Sequence, residues 1–142
     1  MSFLLDTSIN VKLVLEEPGS QSARTRVREA LRESQILVTV DEALPEALNA
    51  LWKHTKIHGD LDEEEALRAV EDLFLLWDRI RIISSREVSS DAFKIAFERG
   101  LSVYDSLFLA ASRKSKSILF TADKRLYEAS RGLVESEHLR VI

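Results

Sequence analysis

Two aspartates follow directly after apolar runs near the two ends of the chain, each with hydroxyl residues beside it. In SFLLDTS, residues 2–8, Asp6 comes after a run typical of a buried strand. In SILFTAD, residues 117–123, Thr121 and Asp123 follow a second such run. A carboxylate at the end of a strand can cap the next helix or form a turn, and it can also serve a binding site. The two similar segments therefore predict carboxylates at one edge of a sheet.

Two further acids complete the candidate set. Asp105 lies three residues after Ser102, a spacing that also predicts a helix capping box, and Glu46 lies on the polar face of a helix predicted at 43–56. Each acid taken singly is explained by a cap, a turn or a solvated helix side. Together they form an oxygen-only set that suits Mg²⁺ or Mn²⁺, because clustered like charges need a cation to neutralise them. Such ions activate water and neutralise phosphate charge in phosphodiester cleavage.

The elements that would position these acids alternate between short apolar runs and helical patterns. This alternation predicts an α/β fold with a central parallel sheet of about five strands and helices on both faces, in one domain spanning residues 1–142. A site in such a fold lies beyond the carboxyl ends of the strands. The predicted strands cover residues 2–5, 36–40, 80–83, 118–121 and 139–142, and the predicted helices cover 8–16, 20–33, 43–56, 62–78, 86–99, 103–115 and 124–130.

Composition excludes several classes of site. The chain contains no cysteine, which excludes disulfides, zinc–thiolate sites and a cysteine nucleophile. Its net charge of −4 argues against coating nucleic acid by bulk charge, but not against a nucleic-acid enzyme, since a carboxylate cluster is itself acidic. No apolar run reaches the ~18 residues of a membrane helix, and no signal-peptide pattern is present. We therefore expect a cytoplasmic protein with no membrane association.

Four segments match one known family in order: LLDTSINVKLVLEE at 4–17, EALNALWK at 46–53, GLSVYDSLFLAAS at 100–112 and LFTADKRL at 119–126. They resemble the PIN domain, and among PIN domains the VapC-type toxins of type II toxin–antitoxin pairs. The resemblance implies a metal-dependent endoribonuclease that binds Mg²⁺ or Mn²⁺ through Asp6, Glu46, Asp105 and Asp123 and leaves a 5′-phosphate and a 3′-hydroxyl. It also implies a cognate antitoxin protein as partner and a homodimer.

The same resemblance implies that other polar residues support the four acids. Ser8, Asn49 and Thr121 match polar positions that usually support the acids. Among the basic residues, Lys12 and Lys53 are the best candidates for phosphate contacts, because each lies one or two helical turns from a proposed metal ligand.

The second acid has competitors. Asp41 and Glu42 lie close to Glu46 in the sequence, and the spacing E-x-x-N-x-L favours Glu46. Pro45, just before it, is acceptable within the first turn of a helix.

Alternative interpretations stay open at this stage. A non-catalytic PIN-fold module would bind RNA or a protein without cutting, although such modules usually lack one or more of the acids. A phosphatase with Asp6 as nucleophile would need D-x-D-x-[TV], and D-T-S-I-N lacks the second aspartate. His54 and His58 have a spacing that can bind zinc on a helix, but Gly59 favours an exposed helix end.

The apolar residues of one helix have two interpretations. Leu67, Val70, Phe74 and Trp77 share helical spacing within 62–78, which predicts a buried stripe. An exposed apolar patch on this helix or on the 43–56 helix would instead suit an antitoxin helix.

Overall fold

The computed structural model describes residues 1–141 and confirms the α/β fold class, with strands and helices alternating along the chain. Local signals set several boundaries: a capping box between Asp62 and Glu65 opens one helix, and Gly100, with φ 66°, ends another. The strands are β1 (Ser2–Leu5), β2 (Ile36–Val40), β3 (Arg81–Ile83), β4 (Ile118–Thr121) and β5 (Ser136–His138). The helices are α1 (Thr7–Val14), α2 (Ser20–Arg32), α3 (Ala43–Lys56), α4 (Glu63–Trp77), α5 (Ser85–Arg99), α6 (Val103–Ser115) and α7 (Lys124–Ala129).

The strands form one parallel sheet in the spatial order β3-β2-β1-β4-β5. From β1 the chain builds outward through β2 to β3, and it then returns to place β4 on the other side of β1. The winding therefore reverses between β1 and β4, and in open α/β sheets ligands bind beyond the strand ends at such a reversal. Because Leu5 pairs with Phe120, the next residues along, Asp6 and Thr121, lie at this crevice.

Alternate residues of the central strand are buried against opposite layers of helices. Leu4 belongs to the core formed with α5 and α6, whereas Phe3 and Leu5 belong to the core formed with α1 and α2. All three side chains are fully buried, as expected for a parallel sheet covered on both faces. Burial of each contributes roughly 1.5–3 kcal/mol, so β1 holds Asp6 firmly in place.

Helix α4 buries a narrower stripe than its sequence predicts. Of the two interpretations of this helix, the exposed patch is right for Leu67 and Phe74, and the buried positions are Ala69 and Leu73. Helix α4 packs chiefly against α1 and α3, on one side only, so there is no second layer to cover its remaining apolar residues. Apolar side chains are consequently left on the surface of α4.

The last strand begins earlier than predicted. The apolar run at 139–142 was expected to form it, but β5 spans Ser136–His138, and residue 142 lies outside the described residues. This edge strand is held by backbone pairing with β4 and by an ion pair between Arg26 and Glu137, neither of which depends on apolar side chains. An apolar pattern is therefore a poor guide to its position.

No helix in residues 1–141 is both long and apolar enough to cross a membrane. The longest, α4 and α5, have 15 residues each, against the ~20 that a bilayer requires.

Candidate active site

Asp6 and Asp123 lie at the crevice between the ends of β1 and β4, and each also caps a helix. Oδ1 of Asp6 accepts a hydrogen bond from the Ile9 N–H in α1 at 3.1 Å. Oδ1 of Asp123 accepts two from the Arg125 and Leu126 N–H groups in α7, at 2.9 and 3.3 Å. Capping and a functional role are compatible here, since capping occupies only one oxygen of each carboxylate.

Asp6 is the buried centre of the site, with only 3% of its surface exposed. Its Oδ1 accepts a further hydrogen bond from Ser8 Oγ at 2.6 Å, and its Oδ2 accepts one from Thr121 Oγ1. A carboxylate offers about four lone-pair directions, so three hydrogen bonds leave one direction at Oδ2 for a ligand.

The charge of Asp6 is costly in this position. Burial raises its pKa from 3.8 to about 6, because a low-dielectric surrounding disfavours the charged form. Hydrogen bonds from Ser8, Thr121 and the Ile9 N–H lower the pKa and offset part of this rise, while the negative charge of Asp123 adds to it. A cation next to Asp6 would favour the ionised form.

Ser8 and Thr121 also join the two strand ends to each other. Besides donating to Asp6, Ser8 Oγ accepts the Ala122 N–H at 3.0 Å, and Thr121 Oγ1 accepts the Asp123 N–H at 2.9 Å. Each hydroxyl thus serves as donor and acceptor at once, which fixes the orientation of the Asp6 carboxylate.

Glu46 approaches the crevice from the first turn of α3. Its Oε1 accepts a hydrogen bond from Thr7 Oγ1 at 2.8 Å, and the side chain is half-buried. Because α1, which begins at Thr7, contacts α3, Glu46 in the first turn of α3 is partly covered, whereas Asn49 and Lys53 on the same face are exposed as predicted. Burial raises the pKa of Glu46, the Thr7 hydrogen bond lowers it, and the charges of Glu42 and Asp105 raise it further.

Asp105 lies in the first turn of α6, where Ser102 is the N-cap. Ser102 Oγ accepts the Asp105 N–H at 3.1 Å, which is the N-cap half of the predicted capping box. The carboxyl is half-buried, and burial followed by the charge of Asp123 raises its pKa. A hydrogen bond with Ser102 and the positive charge of Arg125 lower the pKa in part.

The four predicted acids are near enough for their charges to interact. Asp123 raises the pKa of both Asp6 and Asp105, and Asp105 raises the pKa of Glu46. A cluster of like charges with oxygen donors fits a divalent cation such as Mg²⁺ or Mn²⁺.

The carboxylates of the four acids do not point at one shared position for a metal ion. Among residues 1–141, no three His, Asp or Glu side chains are close enough together to ligate one ion. Hydrogen bonds to Ser8, Thr7 and the N–H groups of α7 hold Asp6, Glu46 and Asp123 in their present orientations. Shared ligation of one ion therefore requires at least one carboxylate to rotate.

The remaining predicted site residues lie further out. Asn49 and Lys53 are exposed on α3, with Asn49 one turn after Glu46. Lys12 is half-buried on α1, and its Nζ forms an ion pair with Glu17 at 2.9 Å. Its charge is therefore already neutralised, which leaves Lys53 better placed for a phosphate.

Of the competing acids near Glu46, Asp41 is engaged elsewhere. Its Oδ1 accepts the Ser85 N–H at 3.0 Å at the start of α5. Glu42 is close enough to raise the pKa of Glu46 but is not among the charges that shift Asp105.

The two histidines do not keep the spacing of a helical zinc site. Helix α3 ends at Lys56, so His58 lies beyond it. His54 Nδ1 lies 2.9 Å from Asp60 and its Nε2 lies 3.3 Å from Glu17, while the His58 ring packs edge-on against it. Both ring nitrogens of His54 thus have protein partners.

Sequence reasoning missed two features that support the site. Thr7 orients Glu46, and a buried pair formed by Asn10 and Thr39, 3.3 Å apart, lies behind Asp6. Thr39 Oγ1 donates to the Leu5 carbonyl at 2.7 Å, directly before Asp6. The available signals were a hydroxyl within the apolar strand ILVTV and an asparagine four residues after Asp6.

Comparison with known proteins identifies the class of protein that this fold and acid cluster define. The family model described as "PIN domain" matches residues 3–132. The chain belongs to the PIN-domain family.

Individual proteins of known name and structure are similar to this chain. The chain is 35% identical to Ribonuclease VapC3 from Pyrobaculum aerophilum, over 94% of this chain and 98% of that protein. It is 28% identical to Exonuclease VapC9 from the same organism, over 78% of this chain and 80% of that protein. The solved VapBC2 complex from Rickettsia felis, bound to a DNA fragment from its promoter, has a chain with the same fold at a TM-score of 0.69 and 18% identity, covering 99% of this chain and 100% of that one.

Proposed function

We propose that the protein is a metal-dependent endoribonuclease that acts in the cytoplasm as the toxin of a toxin–antitoxin pair, with residues 1–142 as its single nuclease domain. The observation that carries the proposal is Asp6, a buried carboxylate at the switch point of the sheet. The charge of Asp123 acts on Asp6 and on Asp105, and the charge of Asp105 acts on Glu46. Membership of the PIN-domain family and 35% identity to a named ribonuclease support the proposal.

The acids would hold the cation, and the surrounding residues keep the acids in place. Asp6, Glu46 and Asp105 are the proposed ligands of one Mg²⁺ or Mn²⁺, and Asp123 completes the set. When bound, such an ion activates water and neutralises charge on the phosphoryl oxygens. Ser8 and Thr121 fix the orientation of Asp6, Thr7 and Asn49 support Glu46, and Lys53, with Lys12 as the weaker candidate, contacts phosphate.

Hydrolysis requires no covalent bond to the protein. A water oxygen attacks phosphorus as the bond to the 3′-oxygen breaks, which leaves a 5′-phosphate and a 3′-hydroxyl. We expect internal cleavage because the crevice at the carboxyl ends of β1 and β4 is open to solvent where Asp123 is exposed. An RNA strand can therefore cross the crevice without inserting one of its ends. The named relatives include both a ribonuclease and an exonuclease, so the cleavage mode needs a direct test.

Linear and circular forms of one labelled RNA provide that test, in Mg²⁺, in Mn²⁺ and in EDTA. We expect the wild-type protein to open the circle only with metal, and Asp6→Asn and Asp105→Asn to leave it intact. Asp72→Asn, at an exposed position on α4, is the matched control and should cleave normally. Cleavage of the linear form alone would indicate an exonuclease, and binding without any cleavage would indicate a non-catalytic module.

An antitoxin helix is the partner proposed for the groove between α3 and α4. This groove, of about 280 Å³, is lined by apolar side chains that include Leu48, Trp52, Leu67 and Val70. Trp52 and Leu67 are more than half exposed, which is unusual for large apolar residues without a partner. An amphipathic helix fits such a groove by inserting its apolar face.

A second copy of the chain is the partner proposed for α5. Phe93 and Phe97 lie one turn apart on this helix, with ring centroids 6.1 Å apart, and Phe97 is 83% exposed. A two-fold axis would place this aromatic pair against its own copy.

A further inference from the structure

A cavity of about 540 Å³ lies beside the carboxylate site. It is bounded by α7 on one side and by the end of β5 and the residues that follow it on the other. Its size falls within the range of about 300–1,000 Å³ that small-molecule sites occupy. Its polar lining consists of Lys124, Tyr127, Glu128, Arg131, His138 and Arg140, so three fixed positive charges face one negative charge.

The cavity neighbours the carboxylate site through backbone contacts, although none of the four acids lines it. His138 pairs in the sheet with Thr121, which donates to Asp6, and His138 Nε2 lies 3.4 Å from the Ala122 carbonyl oxygen. Lys124 directly follows Asp123. The cavity therefore lies next to the carboxylate site, on the β5 side of the sheet.

The cavity carries positive charge in a chain whose net charge is −4. Lys124 is 4.0 Å from Glu128, a loose contact between exposed groups, and within residues 1–141 the Arg131 and Arg140 guanidinium groups form no ion pair. A phosphate chain is repelled by a carboxylate cluster, so a strand that reaches the cluster needs cations beside it. The two arginines provide them.

A flat aromatic surface forms part of the same wall. The rings of Tyr127 and His138 are stacked, with centroids 5.0 Å apart and 17° between their planes, and both side chains are half-buried. Bases of single-stranded nucleic acid stack on aromatic and histidine side chains. Phosphate-binding cations and a stacking surface thus occur together.

We propose that this cavity binds the nucleotides of single-stranded RNA on one side of the cleaved phosphate. Arg131 and Arg140 bind phosphate groups, and the Tyr127–His138 pair stacks a base. The proposal rests on the proposed RNA substrate, and it adds a binding subsite outside the acid cluster.

Binding in EDTA separates this subsite from cleavage. The probe is a short fluorescein-labelled single-stranded RNA, with Kd measured by fluorescence anisotropy over a series of salt concentrations. The double variant Arg131→Gln/Arg140→Gln should bind more weakly, and the slope of log Kd against log salt should fall by about 1.4, since each phosphate contact on a single strand contributes about 0.7. Arg68→Gln, which removes an exposed arginine of α4, is the matched control and should change neither quantity.

The stacking surface is tested by two substitutions at one position. Tyr127→Leu should weaken binding at least about five-fold without changing the salt slope, and Tyr127→Phe, which keeps the ring, should bind as the wild type does. In cleavage assays with metal, Tyr127→Leu should raise KM and leave kcat nearly unchanged, because stacking is equal in ground state and transition state. Thermal melting verifies that both variants are folded.

Failure of the subsite and failure of the nuclease are distinguishable. Unchanged Kd and salt slope in the arginine variant, or equal binding by Tyr127→Leu and wild type, overturns the subsite whether or not the protein cleaves RNA. Absence of RNA binding by the wild type also overturns it. Cavity-dependent binding without cleavage in any metal supports the subsite and contradicts the nuclease.

Discussion

Replacement of Asp6 by asparagine should stabilise the metal-free protein while it abolishes cleavage. The pKa of Asp6 is raised to about 6 in the folded protein, from an ordinary value of 3.8, chiefly because the side chain is buried. At about 1.36 kcal/mol per pKa unit, the buried charge costs about 3 kcal/mol of folding free energy at neutral pH. Asparagine keeps the shape of the side chain and removes that cost.

The sign of the pH dependence follows from proton binding. Between pH 3.8 and about 6, folded Asp6 holds a proton that the unfolded chain has released. The contribution of this bound proton to the free energy of unfolding is complete below pH 3.8 and is lost as pH rises through about 6. The stability difference between Asp6→Asn and wild type should therefore be small near pH 4 and should grow to about 3 kcal/mol above pH 7.

Urea unfolding in EDTA, followed by circular dichroism at several pH values, measures this difference. Asp72→Asn is again the control, and its difference from wild type should stay within about 0.5 kcal/mol. A stability difference for Asp6→Asn that does not vary with pH, or a destabilisation that grows with pH, would refute the reasoning.

A second substitution tests the same buried charge, but it should lower the stability of the protein instead of raising it. Thr121→Val removes a hydrogen bond that lowers the pKa of Asp6 and leaves a buried oxygen without its donor. We expect a loss of about 1–3 kcal/mol that is greater at pH 8 than at pH 5, because the hydrogen bond stabilises the charged form. Addition of Mg²⁺ at about 100 times its Kd should stabilise the wild type by about 2.7 kcal/mol and leave Asp6→Asn unaffected.

The two partner surfaces yield the remaining predictions. Leu67→Glu should prevent co-purification with an antitoxin co-expressed from the neighbouring gene, because it places a charge in the groove between α3 and α4, and RNA cleavage should continue. A complex of unchanged stability would exclude that groove as the docking site. Phe93→Ser/Phe97→Ser should convert a dimer into a monomer in light scattering, and a mass equal to that of the wild type would assign the contact to another face.

The elements of the fold were largely predictable because their signals are local. Hydrophobic periodicity and capping residues placed β1, β2, β4 and the helices within one or two residues of their observed limits. The predicted position of the last strand was wrong. An edge strand that is held by backbone pairing and by the Arg26–Glu137 ion pair needs no apolar run. The sequence left open whether the apolar residues of α4 are buried or exposed, because how much of a helix is covered depends on the elements that pack against it.

The acid set was predicted in part from spacing and in part from the resemblance to PIN domains. Asp6 and Asp123 follow strands, and the ends of parallel strands meet at one edge, so their proximity could be inferred. Glu46 could not be placed in this way: its helical face was expected to be solvated, and this is right for Asn49 and Lys53, but Glu46 itself is half-buried beside Thr7. The roles of the four acids in metal binding stay predictions.

By itself, the sequence determined four of the five strands and all seven helices of the described chain to within one or two residues, which acids follow them, and the family to which the chain belongs. These properties depend on neighbours within a few residues or on a linear pattern of motifs. Only the tertiary structure decided that β4 returns to the side of β1, that Thr121 donates to Asp6, and that Tyr127 stacks on His138 beside two unpaired arginines of the described chain. Such contacts join residues distant in the chain, and the burial that raises the pKa of Asp6 arises only when the packed layers exclude water around it.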